Sequence, residues 1–129
     1  MDCFDISASG LSAQRARLDI IASNIANVET TRTPAGGPYR RLQALFASRG
    51  SGAGGVEMLG AVQDPREFRR AYQPGHPEAD GDGIVAYPNV NIVEEMVDLI
   101  SATRSYEANA AAFNAAKTMA QHALDLGRA

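Results

Sequence analysis

The chain has 129 residues, enough for one domain or one domain with an extension. Twelve Lys and Arg against fifteen Asp and Glu leave a net charge of -3, which argues against a nucleic-acid partner, since such a partner is met by a basic face. Cys3 is the one cysteine, so an intrachain disulfide and a cysteine-based metal cage are both excluded.

No apolar run approaches the ~20 residues of a membrane span. The opening "MDCFDISASG" has two aspartates where a cleavable secretion signal carries positive charge, and no apolar stretch follows. Export by the general secretory route is therefore not expected.

The first element is a helix over about residues 5–27. Phe4, Leu11, Leu18 and Ile25 recur every seven residues, and Ile21 and Val28 follow the last two at a spacing of three. That is one apolar stripe at helical period. Asp5 and Ser7 are candidate N-caps. At its end, "ASNIANVETT" sets Asn24 and Asn27 one turn apart. Such amides either cap the helix carbonyls or bond across a helix–helix contact and fix its register. In the second case Asn109 and Asn114 are the counterparts.

Between 31 and 88 the composition changes. All six prolines and ten of the twelve glycines fall in this stretch, a density that breaks a chain into short pieces. "YRRLQALFA", "VEMLGAVQ", "FRRAYQ" and "GIVAYP" read as strands, and "RGSGAGG" (49–55) as a hairpin tip or loop. A small β-rich insert follows.

The last element begins at "PNVNIVEEMVDLI". Asn91 followed by Glu94 resembles a capping box, with Pro88 just outside. Met96, Leu99, Thr103, Tyr106, Ala110, Phe113, Lys117, Ala120 and Leu124 then alternate at spacings of three and four, the pattern of a coiled-coil seam. Alanine, the best helix former, is abundant, and Gly127 is placed to end the helix at C′.

A helix from Asn91 to Leu126 would be about 54 Å long, whereas a compact domain of this length has a radius of gyration near ~14 Å. Such a helix projects beyond any compact body, and the N-terminal helix is its one long partner. The expected fold is α+β. Long terminal helices (1–30 and 89–129) pair as an antiparallel coiled coil, with the β-rich insert (31–88) at one end.

The seam is expected to use Leu11, Leu18, Ile21, Ile25, Asn24 and Asn27 against Met96, Leu99, Tyr106, Phe113 and Leu124. Ile6, Ile20, Ile92, Val93, Val97 and Ile100 lie off it. Apolar residues on more than one face imply packing against other subunits.

Little catalytic chemistry is legible. His76, in "PGHPEAD", has no second histidine at ligand spacing, and His122 lies on the alanine-rich helix. "DGDG" (80–83) lacks the closing Glu of a calcium loop and reads as a turn. The glycine-rich stretches lack the Lys and Ser/Thr of a phosphate loop. Neither a catalytic residue, a metal nor a cofactor is expected, and the chain does not read as an enzyme.

"ASNIANVETT" is similar to the signature of the flagellar axial proteins, the rod and hook family of bacteria. The order "DP…F…Y.PGHP.AD..G.V..PNVN…EM", matched from Asp64 to Met96, resembles the C-terminal half of its proximal-rod members. The likeness covers nearly the whole chain except about 32–60. It implies paired terminal helices lining the inner tube of a helical assembly, with the β-rich part facing outward. It also implies a homo-oligomer in the assembled rod, next to other rod subunits and the membrane-ring end of the basal body. Export would run through the flagellar type III apparatus without a cleavable signal, to a rod spanning the periplasm. The competing readings are a free-standing module whose helical stripe accepts a client helix, and another rod component of the same family.

Overall fold

A computed structural model describes residues 3–49 and 54–128, Cys3 by its backbone alone. Six elements follow one another: α1 (Cys3–Ala26), β1 (Leu42–Ser48), β2 (Val56–Gln63), β3 (Arg69–Tyr72), β4 (Ile84–Tyr87) and α2 (Ile92–Arg128). The fold is α+β, with two long terminal helices and a small antiparallel insert. The helices run antiparallel. Phe4 meets Phe113 edge to face at 5.3 Å, Gly10 lies against Asn109, and Asn24 reaches Glu95.

At ~1.5 Å per residue, the 24-residue α1 spans about 36 Å and the 37-residue α2 about 55 Å. The thirteen-residue excess is a C-terminal overhang on which, from Lys117 to Arg128, every side chain except Ala120 is exposed. Helix α2 continues through Gly127 to Arg128, so this glycine does not end it as expected. Alanine propensity carries the helix past the glycine, whose cost of ~1 kcal/mol is small over so long a run. Helix α1 likewise starts before its expected caps. Asp5 stands in its first turn and Ser7 is buried within it.

The four strands form two separate hairpins. In the first, β1 pairs antiparallel with β2 from Leu42↔Gln63 to Ser48↔Val56, with a register shift between Leu45 and Phe46. Leu59 is the extra residue and Gly60 carries the positive φ of 152° beside it. Arg49 N–H donates to Gly55 O, closing the ladder towards the tip. Residues 50–53 of the glycine-rich segment lie outside the described residues. In the second hairpin, β3 pairs with β4 from Arg69↔Tyr87 to Tyr72↔Ile84. Its long connection is held by side chains. His76 Nδ1 accepts the Glu78 amide, and Asp80 Oδ1 accepts those of Asp82 and Ile84. The "DGDG" stretch is thus a turn, as read, and His76 closes a turn of its own.

The β1–β2 hairpin is not confined to one end of the helix pair. It lies along α1. Near its tip, Val56 N–H donates to Ser9 Oγ at 3.1 Å. Gly55, at φ 88°, sits so close that a Cβ there would fall 2.4 Å from that oxygen. At its base, Leu42 is bonded to Asn24. Helix α1 is sandwiched between α2 and the hairpin, and close approach on both sides favours small residues. Ser7, Ser9 and Ala13 are buried, whereas Leu11 and Leu18 are only half-buried.

A buried polar junction and an uncovered helix face

The best-buried large side chains are polar: Glu95, Asn24 and Asp64 rank beside Val85 and Pro88. They meet where the end of α1, the start of β1, the segment after β2 and the first turn of α2 converge. Arg41 is at the centre. Its Nε donates to Glu95 Oε1, its Nη1 to Asp64 Oδ2 at 3.0 Å and its Nη2 to Asp98 Oδ2 at 3.3 Å. A guanidinium presents several donors in a rigid fork, so one arginine can engage three carboxylates from two segments.

Two asparagines extend the junction by imitating a strand edge. Asn24 Nδ2 donates to Leu42 O at 2.8 Å while its Oδ1 accepts Leu42 N–H at 3.0 Å. The same amide takes the Tyr39 hydroxyl at 2.8 Å and donates to Glu95 Oε2 at 3.4 Å. Asn89 Oδ1 accepts Arg41 N–H at 2.8 Å, and its Nδ2 donates to the carbonyls of Asp64 and Arg66. Among the described residues no buried side-chain polar atom lacks a partner. A buried network is tolerable only when satisfied to that degree.

The electrostatics follow from these contacts. Burial alone would raise the Asp64 carboxyl. The Arg66 amide and guanidinium, with Arg41, outweigh it and hold the group below the usual 3.8. Arg41 also loses solvation on burial, yet its bonds to Glu95 and Asp64 keep its pKa raised.

The expected interface residues fall into two sets. Asn24, Ile21 and, half-buried, Leu11, Leu18, Ile25, Leu99 and Phe113 are covered within the chain. Met96, Tyr106 and Leu124 are 52%, 37% and 65% exposed. The side of α2 turned to α1 runs through Glu95, Ala102, Asn109 and Ala116, one residue earlier than Met96, Thr103, Ala110 and Lys117. The other half of the stripe, Leu99, Phe113 and Ala120, stays in place.

The two amides at the end of α1 also differ. Asn27 Nδ2 bonds its own helix's Ser23 carbonyl at 2.7 Å, a plain C-terminal cap. Asn24 bonds between elements, but to Glu95 and β1. Asn109 turns its amide to Ser105 O of its own helix, and at Asn114 the backbone carbonyl takes the Thr118 hydroxyl. Asn91 Oδ1 caps α2 by accepting the Val93 and Glu94 amides, while the Glu94 carboxylate goes to Arg66 rather than closing the box.

Opposite the covered side, Val93, Val97 and Ile100 repeat at helical spacing and are 69%, 61% and 56% exposed, with Met96 beside them. Met119 and Leu126 are bare on the overhang, and a shallow groove lined by Phe4, Ala112, Ala116 and Met119 runs between the helices. Among the described residues fifteen large hydrophobic side chains are exposed, against six buried apolar ones. The accessible surface, 8450 Å², exceeds by more than a quarter the roughly 6600 Å² of a compact monomer of this mass.

Comparison with known proteins gives the family. The family described as "Flagella basal body rod protein" matches residues 4–32, and "Flagellar basal body rod FlgEFG protein C-terminal" matches residues 82–126. The chain is 44% identical to the flagellar basal-body rod protein FlgC of Yersinia enterocolitica over 99% of its own length and 98% of the relative's. It is 44% identical to that of Borreliella burgdorferi (93% and 92% covered) and 41% to that of Bacillus subtilis (96% and 95%). The matched segments hold α1 with Asn24 and α2 with Glu95, the two helices that the junction joins. The chain belongs to the FlgC family of flagellar basal-body rod proteins, structural subunits of the rod that serves motility.

Proposed function

We propose that this rod subunit belongs to the proximal rod and assembles through its terminal helices, the outward face of α2 and the overhang seating on neighbouring subunits. The observation that carries the reading is the imbalance between bare and buried apolar side chains, concentrated on α2. A face of Val93, Met96, Val97 and Ile100 in water forfeits the stabilisation that burial gives, about 1.5–3 kcal/mol per large side chain. Subunit packing recovers it. Other copies of the chain and other rod proteins are the partners, with the membrane-ring junction at one end.

In this reading the segments 1–30 and 89–129 form the inner tube and 31–88 its outward side, Met96, Tyr106 and Leu124 being intersubunit contacts. The chain acts by assembly and not by catalysis. It leaves the cytoplasm unfolded through the flagellar type III apparatus, without a cleavable signal, to a rod crossing the periplasm. A long helix that gains most of its stability from packing suits that route.

Val97→Asp tests the assembly face. The site is exposed, so the isolated chain should change by no more than ~0.5 kcal/mol, whereas a carboxylate buried between subunits is strongly unfavourable. Cells carrying it should be non-motile, with basal bodies that stop at the membrane ring. Normal swimming would remove this face from the assembly surface.

A further inference from the structure

The residues that pack the helix pair recur at heptad spacing. Gly10 faces Asn109, and a Cβ on the glycine would come within 2.8 Å of that side chain. One heptad away in either direction on α2 stand Ala102 and Ala116, both smaller than asparagine. A slide of seven residues, about 10 Å of axial rise, keeps a small residue opposite Gly10 and the apolar period in phase. Phe4 would exchange Phe113 for another residue of the same phase, Tyr106 or Ala120.

Glu95 admits no such slide. It is 0% exposed, and its two oxygens are taken by Arg41 Nε and Asn24 Nδ2. Arg41 is in turn held by the insert, through Asn89 on its backbone and Asp64 on its guanidinium. The seat that receives this helix side chain is therefore built largely outside the helices. Moving α2 by a heptad would strand a carboxylate or leave Arg41 and Asn24 facing Ala102.

We propose that the Arg41–Glu95–Asn24 junction is a register lock, by which the folded insert selects one of several heptad-spaced alignments of the two terminal helices. A buried polar group is known to fix register in coiled coils. Here the selecting group comes from a different part of the chain, so the helices reach their alignment only with the insert in place. The lock concerns the subunit's own helices and holds whichever neighbours cover α2.

Disulfide reporters in the full-length chain test it. Cys3→Ser leaves no native cysteine. Gly10→Cys with Asn109→Cys reports the observed alignment, because a Cβ at Gly10 lies 2.9 Å from Asn109 Cγ, within disulfide reach. Gly10→Cys with Ala102→Cys or Ala116→Cys, each carrying Asn109→Ala to make room for the new Cβ, reports a slide in each direction. Under oxidised glutathione, with the intramolecular bond read by mass spectrometry, the observed-alignment pair should close about tenfold faster than either slid pair. Combining Arg41→Leu with Glu95→Leu removes both charges together and avoids stranding one, and should cut that preference to roughly threefold or less. A preference unchanged by the double substitution would overturn the lock, as would slid pairs closing equally fast with the junction intact. Loss of the disulfide in all three doubly substituted pairs would overturn it too, since the junction would then hold the helices together without choosing an alignment.

Discussion

The two ends of α2 have the same secondary structure and opposite surroundings. In the first three turns Glu95 and Ala102 are fully covered, and the carboxylate is matched donor for acceptor by residues from α1 and the insert. In the last three turns Met119, Leu124 and Leu126 are 65–78% exposed. The side chain buried deepest at the first end is a carboxylate, whereas the large side chains left bare at the last end are apolar. Polarity therefore does not mark what faces water here. The junction is polar because an unambiguous fit inside one molecule needs directional bonds. In the assembly proposed above, the apolar side chains of the bare end are covered by other molecules.

The sharpest way to break the contrast is Arg41→Met. It leaves the buried Glu95 with Asn24 alone and takes from Asp64 one of its four side-chain hydrogen bonds, and losing one partner of a buried pair costs about 3–5 kcal/mol. Urea denaturation should record that loss. A change below ~1 kcal/mol, the scale of an exposed pair, would mean that the junction is solvated.

Next in size, Asn24→Ala strands the backbone groups of Leu42 and one Glu95 oxygen, at about 1–3 kcal/mol. Asn27→Ala removes a bond to its own helix and should lose only ~1 kcal/mol or less. Equal effects in thermal unfolding would erase the distinction between a bridging amide and a cap.

The smallest expected effect is on acid. The folded Asp64 carboxyl titrates below its usual 3.8, so its contribution is full above about pH 4 and falls away as pH drops through the lower folded value. Asp64→Asn should flatten that part of the stability-against-pH curve. An unaltered curve would assign acid sensitivity to other groups.

Much of the architecture was legible in the chain. Four strand-like stretches became strands within two or three residues of their readings, because turn residues bound each of them. The long helix was evident from its lack of proline and its period. What escaped notice has one cause. Arg41, Asp64 and the Asn89–Glu95 stretch lie far apart in sequence, and the contacts among them exist only once the fold brings them together.

The displaced seam has the same origin. At the step between Glu95 and Met96 the apolar residue is the natural choice for the interior, and the distant Arg41 and Asn24 reverse it. Asn24 could be singled out because an amide inside a helical stripe breaks the apolar pattern, although its partners could not be named. The position of the first hairpin along α1 depends on Gly55 and Ser9, small residues that carry no periodic signal.

The central claim is that the bare face of α2 and its C-terminal overhang are covered by other subunits in the finished structure. Its most direct measurement is maleimide labelling of Val97→Cys and Leu124→Cys, each in a Cys3→Ser background, compared between the isolated chain and purified basal bodies. The account predicts rapid labelling of both thiols in the isolated chain and strong protection of both in the basal body. Equal labelling rates in the two preparations would contradict it.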